Sequence, residues 1–376
     1  MELQEMTSRE RFLRALRLEE TDRVPITFSY VDPYRELTDQ ERRLGFDRFH
    51  RLVREETDVM LPRGPKAPGI YFSSTKEARI ESKTWEEGDT TFRCDTLYTP
   101  EGELEAKRKS EREVFTSWTY EGFIKTEEDV EKILSIPYEP LEIDITPVEE
   151  AQERVGSDGI VATGVGDPIC SCAEIFTLRD YALTATRNPR LIKRLLDFFG
   201  KRTLDYVKAT AEQTQDVFYR VVGPEYVTPP ILNPKFFDEY VVPYDRELIK
   251  AVKKTDNIAC IHCHGLLRTV MGGMRKIDPQ ALEPIEPVPK GDIPLNDVKE
   301  RLGDRTCLMG YIQYNDLEFD TPEIMRKKVR SAIQQGAAGG GYVLFPTAEP
   351  IARINDRMLA NMREFVSAGR KYGQRY

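Results

Sequence analysis

Only three of the 376 residues are histidine and two are tryptophan. Cysteine is sparse as well: six in a chain of this length do not make a disulfide framework, so the sulfurs are expected as reduced thiols. Cationic side chains are outnumbered, 55 Lys and Arg against 64 Asp and Glu, and a formal charge of −9 argues against a nucleic-acid-binding surface. Long apolar runs are missing; none approaches the roughly 20 residues that a membrane span needs. The opening MELQEMTSRERFLRAL is charged and helical in period, without the apolar stretch and cleavage site of a secretory signal, which points to a cytoplasmic protein. No glycine-rich phosphate turn follows a strand-like run. Gly339-Gly340-Gly341 precedes one, the wrong order for a dinucleotide fingerprint.

What is present is regular. Strand-like apolar runs occur at 159–164, 217–222, 257–263, 281–285, 306–312 and 341–345. Helical patterns separate most of them, over about 188–213, 234–254, 266–276 and 295–302, then from Pro322 to Gly336 and over about 355–370. Alternating strands and helices mean a parallel sheet. A short strand at Val24–Phe28 and another near Val59–Leu61 bring the count to eight, which predicts an α/β fold of the (β/α)8 barrel type, a single domain over 1–376. The first 20 residues read as an amphipathic helix, and Thr126 opens another with a capping-box spacing to Asp129. Residues 31–125 read as an elaboration carrying antiparallel strand, with a hairpin turn at Pro100-Glu101-Gly102.

In a barrel the chemistry gathers where strands run out into the following loops. Those ends carry Asp167, Glu225 and Tyr226, His262 and His264, Glu286, Gln313, Thr347 and Glu349. The sharpest cluster is IACIHCHG at 258–265, which holds two of the three histidines. Side chains alternate along a strand, so Cys260, His262 and His264 share one face while Ile261 and Cys263 take the other. Cys260 and Cys263 are therefore not a redox pair. With Glu286 from the next strand, the two imidazoles make a donor set suited to Zn2+ with an open position, or to Fe2+ in a two-histidine-one-carboxylate arrangement. Hydrogen bonding to substrate or to buried carbonyls is the plainer use of the same residues.

SRERFLRALRLEETDRVP at 8–25 and MGYIQYNDLEFDTPEIMRKKVRSAIQQGAAGGGYVLFP at 309–346 resemble the uroporphyrinogen decarboxylase superfamily. The resemblance implies a (β/α)8 barrel. The decarboxylases of that superfamily carry an arginine-rich segment of the type RQAGRYLPEYR; here ITFSYVDPYRELT keeps only Arg35. The chain is closer to the zinc methyltransferases that work with corrinoid proteins, whose His-x-Cys-Gly motif corresponds to His262-Cys263-His264-Gly265. Cobalamin-independent methionine synthases, similar in their zinc strand, add a glutamate 22 residues beyond the motif cysteine, where Glu286 stands relative to His264. The family's last ligand, a cysteine after the final strand, is replaced in LFPTAEP by Thr347 or by Glu349, which leaves the fourth ligand open.

Imidazole in place of thiolate leaves a bound ion more Lewis-acidic and better matched to oxygen than to sulfur. The resemblance and this argument imply removal of a methyl group from oxygen or quaternary nitrogen, with transfer to a corrinoid protein. Asp167, Glu225, Tyr226 or Gln313 would position the substrate, and Glu225 or Glu349 would manage a proton. The family implies a homodimer. Two other readings stay open: a lyase or decarboxylase in which Arg23, Arg35 and Arg63 grip a small acid, and a non-catalytic barrel that binds a corrinoid or another ligand.

Overall fold

The computed structural model of the chain describes residues 5–28 and 30–374. Its strands are β1 (Val59–Pro62), β2 (Arg79–Glu87), β3 (Thr90–Thr99), β4 (Gly102–Glu111), β5 (Trp118–Glu121) and β6 (Gly159–Gly166), then β7 (Phe218–Val222), β8 (Ile258–His262), β9 (Ala281–Ile285), β10 (Cys307–Ile312) and β11 (Tyr342–Pro346). Seven of them form one curled parallel sheet in the order β1-β6-β7-β8-β9-β10-β11. β2 to β5 form a separate antiparallel sheet. Parallel strands with helices against them have no wet face, which is why β8, β9 and β11 are buried at every position.

The eighth expected strand is not one. Residues 24–28 make a single parallel bridge, Ile26 to Leu344, and touch both edges of the sheet: Thr27 N donates to Leu344 O, and Asp58 N donates to Ile26 O. A regular ladder fails there for a local reason. Pro25 has no N–H to offer, and the Ile26 N–H is taken by the Asp58 carboxylate at 2.8 Å.

Two apolar clusters hold the fold. Inside the curl lie Met60, Phe218, Cys260, Met309 and Phe345, covered by Phe12 and Leu16 of helix α1 (Ser8–Leu16). Outside it, the flanking helices pack on the alternate residues, Ile261 and Cys263 among them. The N-terminal helix is shorter than the sequence pattern indicates, and residues 1–4 of that expectation lie outside the described residues. Thr126 and Asp129 form the reciprocal cap on helix Glu127–Leu134. The pattern over 234–254 is two helices, Lys235–Tyr240 and Val242–Lys253, because Pro243 sits in the first turn of the second and cannot continue the first. In the elaboration, β3 and β4 pair from Thr90↔Glu111 to Thr99↔Gly102, so the turn falls where the sequence put it. No helix among the described residues is long and apolar enough to cross a membrane.

Candidate active site

Arg220 lies in the middle of β7 and Glu283 in the middle of β9, both in otherwise apolar runs. A charge there must be paired, because desolvation without a partner costs several kcal/mol per ion, on the order of the stability of a domain. The pairing is direct: Arg220 Nε donates to Glu283 Oε1. His262, at the C-terminal end of β8 between them, joins the pair, with Nδ1 3.0 Å from the same Glu283 oxygen. Arg220 Nη2 stands 2.6 Å from His262 Nδ1 and 3.3 Å from Nε2. A donor in the ring plane at Nδ1 would be much farther from Nε2, so the guanidinium lies against the face of the imidazole. Its Cζ also sits 4.1 Å from the centre of the Tyr30 ring. Arg220 and Glu283 both address Nδ1; in the tautomer with the proton on Nδ1, Glu283 accepts it and Nε2 is left to bind a ligand. Burial alone would raise the Glu283 carboxyl; Arg220 and His262 outweigh it and hold the group down at about 2.

His264 follows the strand end, yet its ring stays beside that of His262, centroids 4.7 Å apart and nearly perpendicular. Its Nδ1 is 3.5 Å from Glu286 Oε1. Burial works against the imidazolium, but Glu286 and the other acids nearby raise the His264 pKa. Burial likewise works against the Glu286 carboxylate, and His264 with the Gly265 N–H lowers it. The Gly265 N–H bond is 3.1 Å, and Gln313 Nε2 reaches the other Glu286 oxygen at 3.3 Å. Gln313 is itself held by the Thr347 hydroxyl at 2.9 Å. Both residues are thus engaged in fixing Glu286.

Glu225 sits on the turn after β7 with an oxygen 4.0 Å from His262 Nε2. Behind that turn are two acids. Asp167 caps helix Pro168–Glu174 through its bond to Cys170 N, 2.6 Å, and is fully buried. It faces Asp245, also fully buried. Three oxygens of the two carboxyls, Asp167 Oδ2 and both of Asp245, have no hydrogen-bond partner among the described residues. Burial, with Asp245 adding to it, pushes the Asp167 pKa well up, and burial raises Asp245 as well. The pair can avoid two buried charges by keeping a proton between them. Gly223 lets the turn after β7 lie directly against Asp167: its φ is +149°, and a Cβ there would lie 1.8 Å from Asp167 Oδ1.

The site is therefore assembled from residues the sequence pointed to and some it did not. His262, His264, Glu225, Glu286 and Gln313 come together. Asp167 lies buried behind the turn, not in the mouth, and Tyr226 packs edge-on to Tyr181, ring centres 6.1 Å apart. Glu349 makes no hydrogen bond to either histidine among the described residues; it lies beside Tyr30, with Arg220 as its charged neighbour, and burial raises its pKa. Arg220, Glu283 and Asp245 were missed. The signal was available: a charged residue inside each of VFYRVV and ALEPI marks an inward ion that must find a partner. The arginines proposed to grip an acid are each already paired, Arg23 with Asp58 at 2.7 Å, Arg63 with Asp32 at 3.1 Å and Arg35 with Glu41.

The donor chemistry fits a divalent ion, since a carboxylate on Nδ1 is the usual support of a metal-binding imidazole. The placement is less complete than the sequence spacing implies. Among the described residues no three His, Cys, Asp or Glu side chains converge as a metal-holding group; the donors stand as two pairs, His262 with Glu225 and His264 with Glu286.

The sequence profile of the uroporphyrinogen decarboxylase (URO-D) family matches residues 119–372, well over half of the chain. The chain belongs to that family. No curated protein matches it. Among solved structures, a methyltransferase from Methanosarcina mazei superposes over nearly the whole length: TM-score 0.61, 15% identity, 98% of this URO-D chain and 99% of that one. At that identity the likeness speaks to the fold. A B12-independent methionine synthase from Shewanella sp. W3-18-1 is looser, with TM-score 0.43, 12% identity, and 71% and 73% of the two chains covered.

Proposed function

We propose that this URO-D family chain is a metal-dependent methyltransferase that takes a methyl group from oxygen or quaternary nitrogen of a small substrate and passes it to the corrinoid of a separate protein. The observation that carries the reading is the orientation of His262. Glu283 sits at its Nδ1 from behind, which leaves Nε2 on the side of Glu225, while the adjacent ring of His264 is paired with Glu286. The full-length likeness to a methyltransferase agrees with it.

His262, His264 and Glu286 would hold the ion, with Glu225 beside them. A bound Zn2+ or Fe2+ supplies Lewis acidity toward a substrate oxygen. Gln313 and the Gly265 N–H keep Glu286 in place. Arg220 lies buried on His262 and offsets the negative charge that the carboxylates bring into the mouth. Glu349, whose burial favours the protonated form, delivers that proton to the oxygen as its bond to the methyl carbon breaks. In this reading residues 24–28 serve as the eighth stave of a (β/α)8 barrel forming one domain, residues 31–125 elaborate it, and the protein works as a cytoplasmic homodimer.

Metal analysis of the purified protein and of His262→Ala, run alongside methyl transfer from a methoxyarene to a corrinoid protein, tests the reading. The wild type is expected to carry about one zinc or iron per chain. His262→Ala is expected to lose both metal and transfer. Wild-type protein that transfers methyl with no metal, or that holds metal and transfers nothing from oxygen or nitrogen donors, overturns it.

A further inference from the structure

The third histidine takes no part in the site above. His50 lies on helix Phe46–Glu56 and lines a cavity of about 230 Å3 together with Tyr30, Phe46, Phe49, Phe115 and Glu349. The walls are aromatic: Phe46 and Phe115 meet edge to face, centres 5.4 Å apart, and His50 stands edge-on to Phe46 and Phe49 at 6.5 and 6.2 Å. Size guides the choice of ligand: an apolar cavity of about 150 Å3 takes up benzene, so this one has room for a single substituted ring.

The polar groups narrow the choice further. His50 is 6% exposed. Its Nδ1 is sealed off, Nε2 is not, and neither nitrogen has a hydrogen-bond partner among the described residues. An orphaned buried N–H costs more than an orphaned lone pair, which an acceptor tolerates better. The proton therefore belongs on Nε2, where it is a donor toward the cavity. Burial, with Arg35 nearby, lowers the His50 pKa and keeps the ring neutral. Arg35, which also lines the cavity, is already paired with Glu41. Aromatic walls with a neutral imidazole donor suit a ring that carries an oxygen acceptor, and the two carboxylates that also line the cavity are engaged, Asp32 by Arg63 and Glu41 by Arg35. The cavity also adjoins the active site, since Tyr30 is at once its wall and the surface on which Arg220 lies.

We propose that this cavity recognises a single-ring phenol or aryl ether, with His50 Nε2–H donating to the ring oxygen. The proposal rests on the methyltransferase reading for the use to which the ligand is put, but not for its binding. Isothermal titration of the full chain, without a corrinoid protein, separates the two. The probes are 2-methoxyphenol and ethylbenzene, which are similar in size and differ in oxygen. Wild type is expected to bind 2-methoxyphenol about tenfold more tightly than ethylbenzene, the usual worth of one buried hydrogen bond. His50→Phe should erase that preference while keeping the aromatic wall. Phe115→Trp, at a half-exposed position that does not threaten folding, should fill the space and weaken both probes about tenfold.

A preference that survives His50→Phe, affinities untouched by Phe115→Trp, or no saturable binding of 2-methoxyphenol by wild type overturns the proposal. Should the probes behave as expected while no donor yields methyl transfer, the cavity stands and the methyltransferase reading falls. Methyl transfer from a non-aromatic donor that Phe115→Trp leaves unimpaired has the opposite consequence.

Discussion

The two ends of the parallel sheet carry buried ion clusters that look alike in composition and differ in how completely they are satisfied. At the N-terminal end, Arg11 donates to both Asp22 oxygens at 2.6 Å, to Asp58 at 2.7 Å and to the Met6 carbonyl at 2.6 Å. Arg23 and the Ile26 N–H complete the shell of Asp58. At the C-terminal end, Glu283 Oε2, Asp167 Oδ2 and both oxygens of Asp245 are left without partners among the described residues. A saturated cluster joins the start of the chain to the entry of β1 and has no bonding capacity to spare. The second cluster lies buried behind the site and keeps acceptors that a proton can use. The difference teaches that buried charge alone does not mark a site; unspent hydrogen-bonding capacity does.

Glu283→Gln tests this contrast hardest. It leaves Arg220 buried without an anion and unfixes His262, so a loss of about 3–5 kcal/mol in unfolding free energy is expected, together with at least a hundredfold fall in methyl transfer; chemical denaturation and the transfer assay read the two. In the parent protein the Glu283 contribution is present above the ordinary glutamate range and is lost as pH falls toward about 2, because its folded pKa is depressed. Arg11→Met attacks the other end. It should cost about 2–3 kcal/mol while leaving kcat/KM within about twofold at temperatures where the variant is folded. A large activity loss at unchanged fold would erase the distinction between the ends.

Asp245→Asn sharpens the comparison from the other direction. The buried acid pair has raised pKa values, so its favourable contribution is full below the unfolded carboxylate pKa of about 4 and is lost as pH rises. The amide removes that dependence, and the variant should gain on the order of 2 kcal/mol over wild type at alkaline pH with little change under acid conditions. Thermal denaturation across the pH range measures it; identical slopes for the two proteins would refute the shared proton. The smallest effect is expected far from either end. Trp85 stacks on Phe92 at the surface of the antiparallel sheet, and Trp85→Ser should shift stability by less than about 1 kcal/mol.

The strands were legible because a buried parallel strand is an apolar run with polar punctuation, and β9 spans the residues its run predicts. The histidines were legible for their rarity and spacing, Glu286 through the next strand. Other features needed three dimensions. Residues 24–28 read as a strand by composition, but Pro25 and the Asp58 carboxylate occupy the positions a ladder would use. Asp245 sits in a helical pattern whose inward face is recognisable, yet its opposite number, Asp167, is 78 positions away, and no periodicity connects them. His50 falls in the 31–125 stretch read only as an elaboration with antiparallel strand; the helix Phe46–Glu56 that carries it and the cavity beside it emerge only in the structure. The β2 strand, exposed along its whole length, has no apolar alternation to betray it.

Helix α1 closes the lower opening of the curled sheet with Phe12 and Leu16. With that end filled, the open end where His262 and His264 lie is the approach left to ligands, and under the proposed reaction methyl donor and acceptor would meet there. A protein-sized acceptor standing there would roof over the small donor beneath it. On the proposed reaction, such a plan predicts a compulsory order, donor in first and out last, with product inhibition by the spent donor.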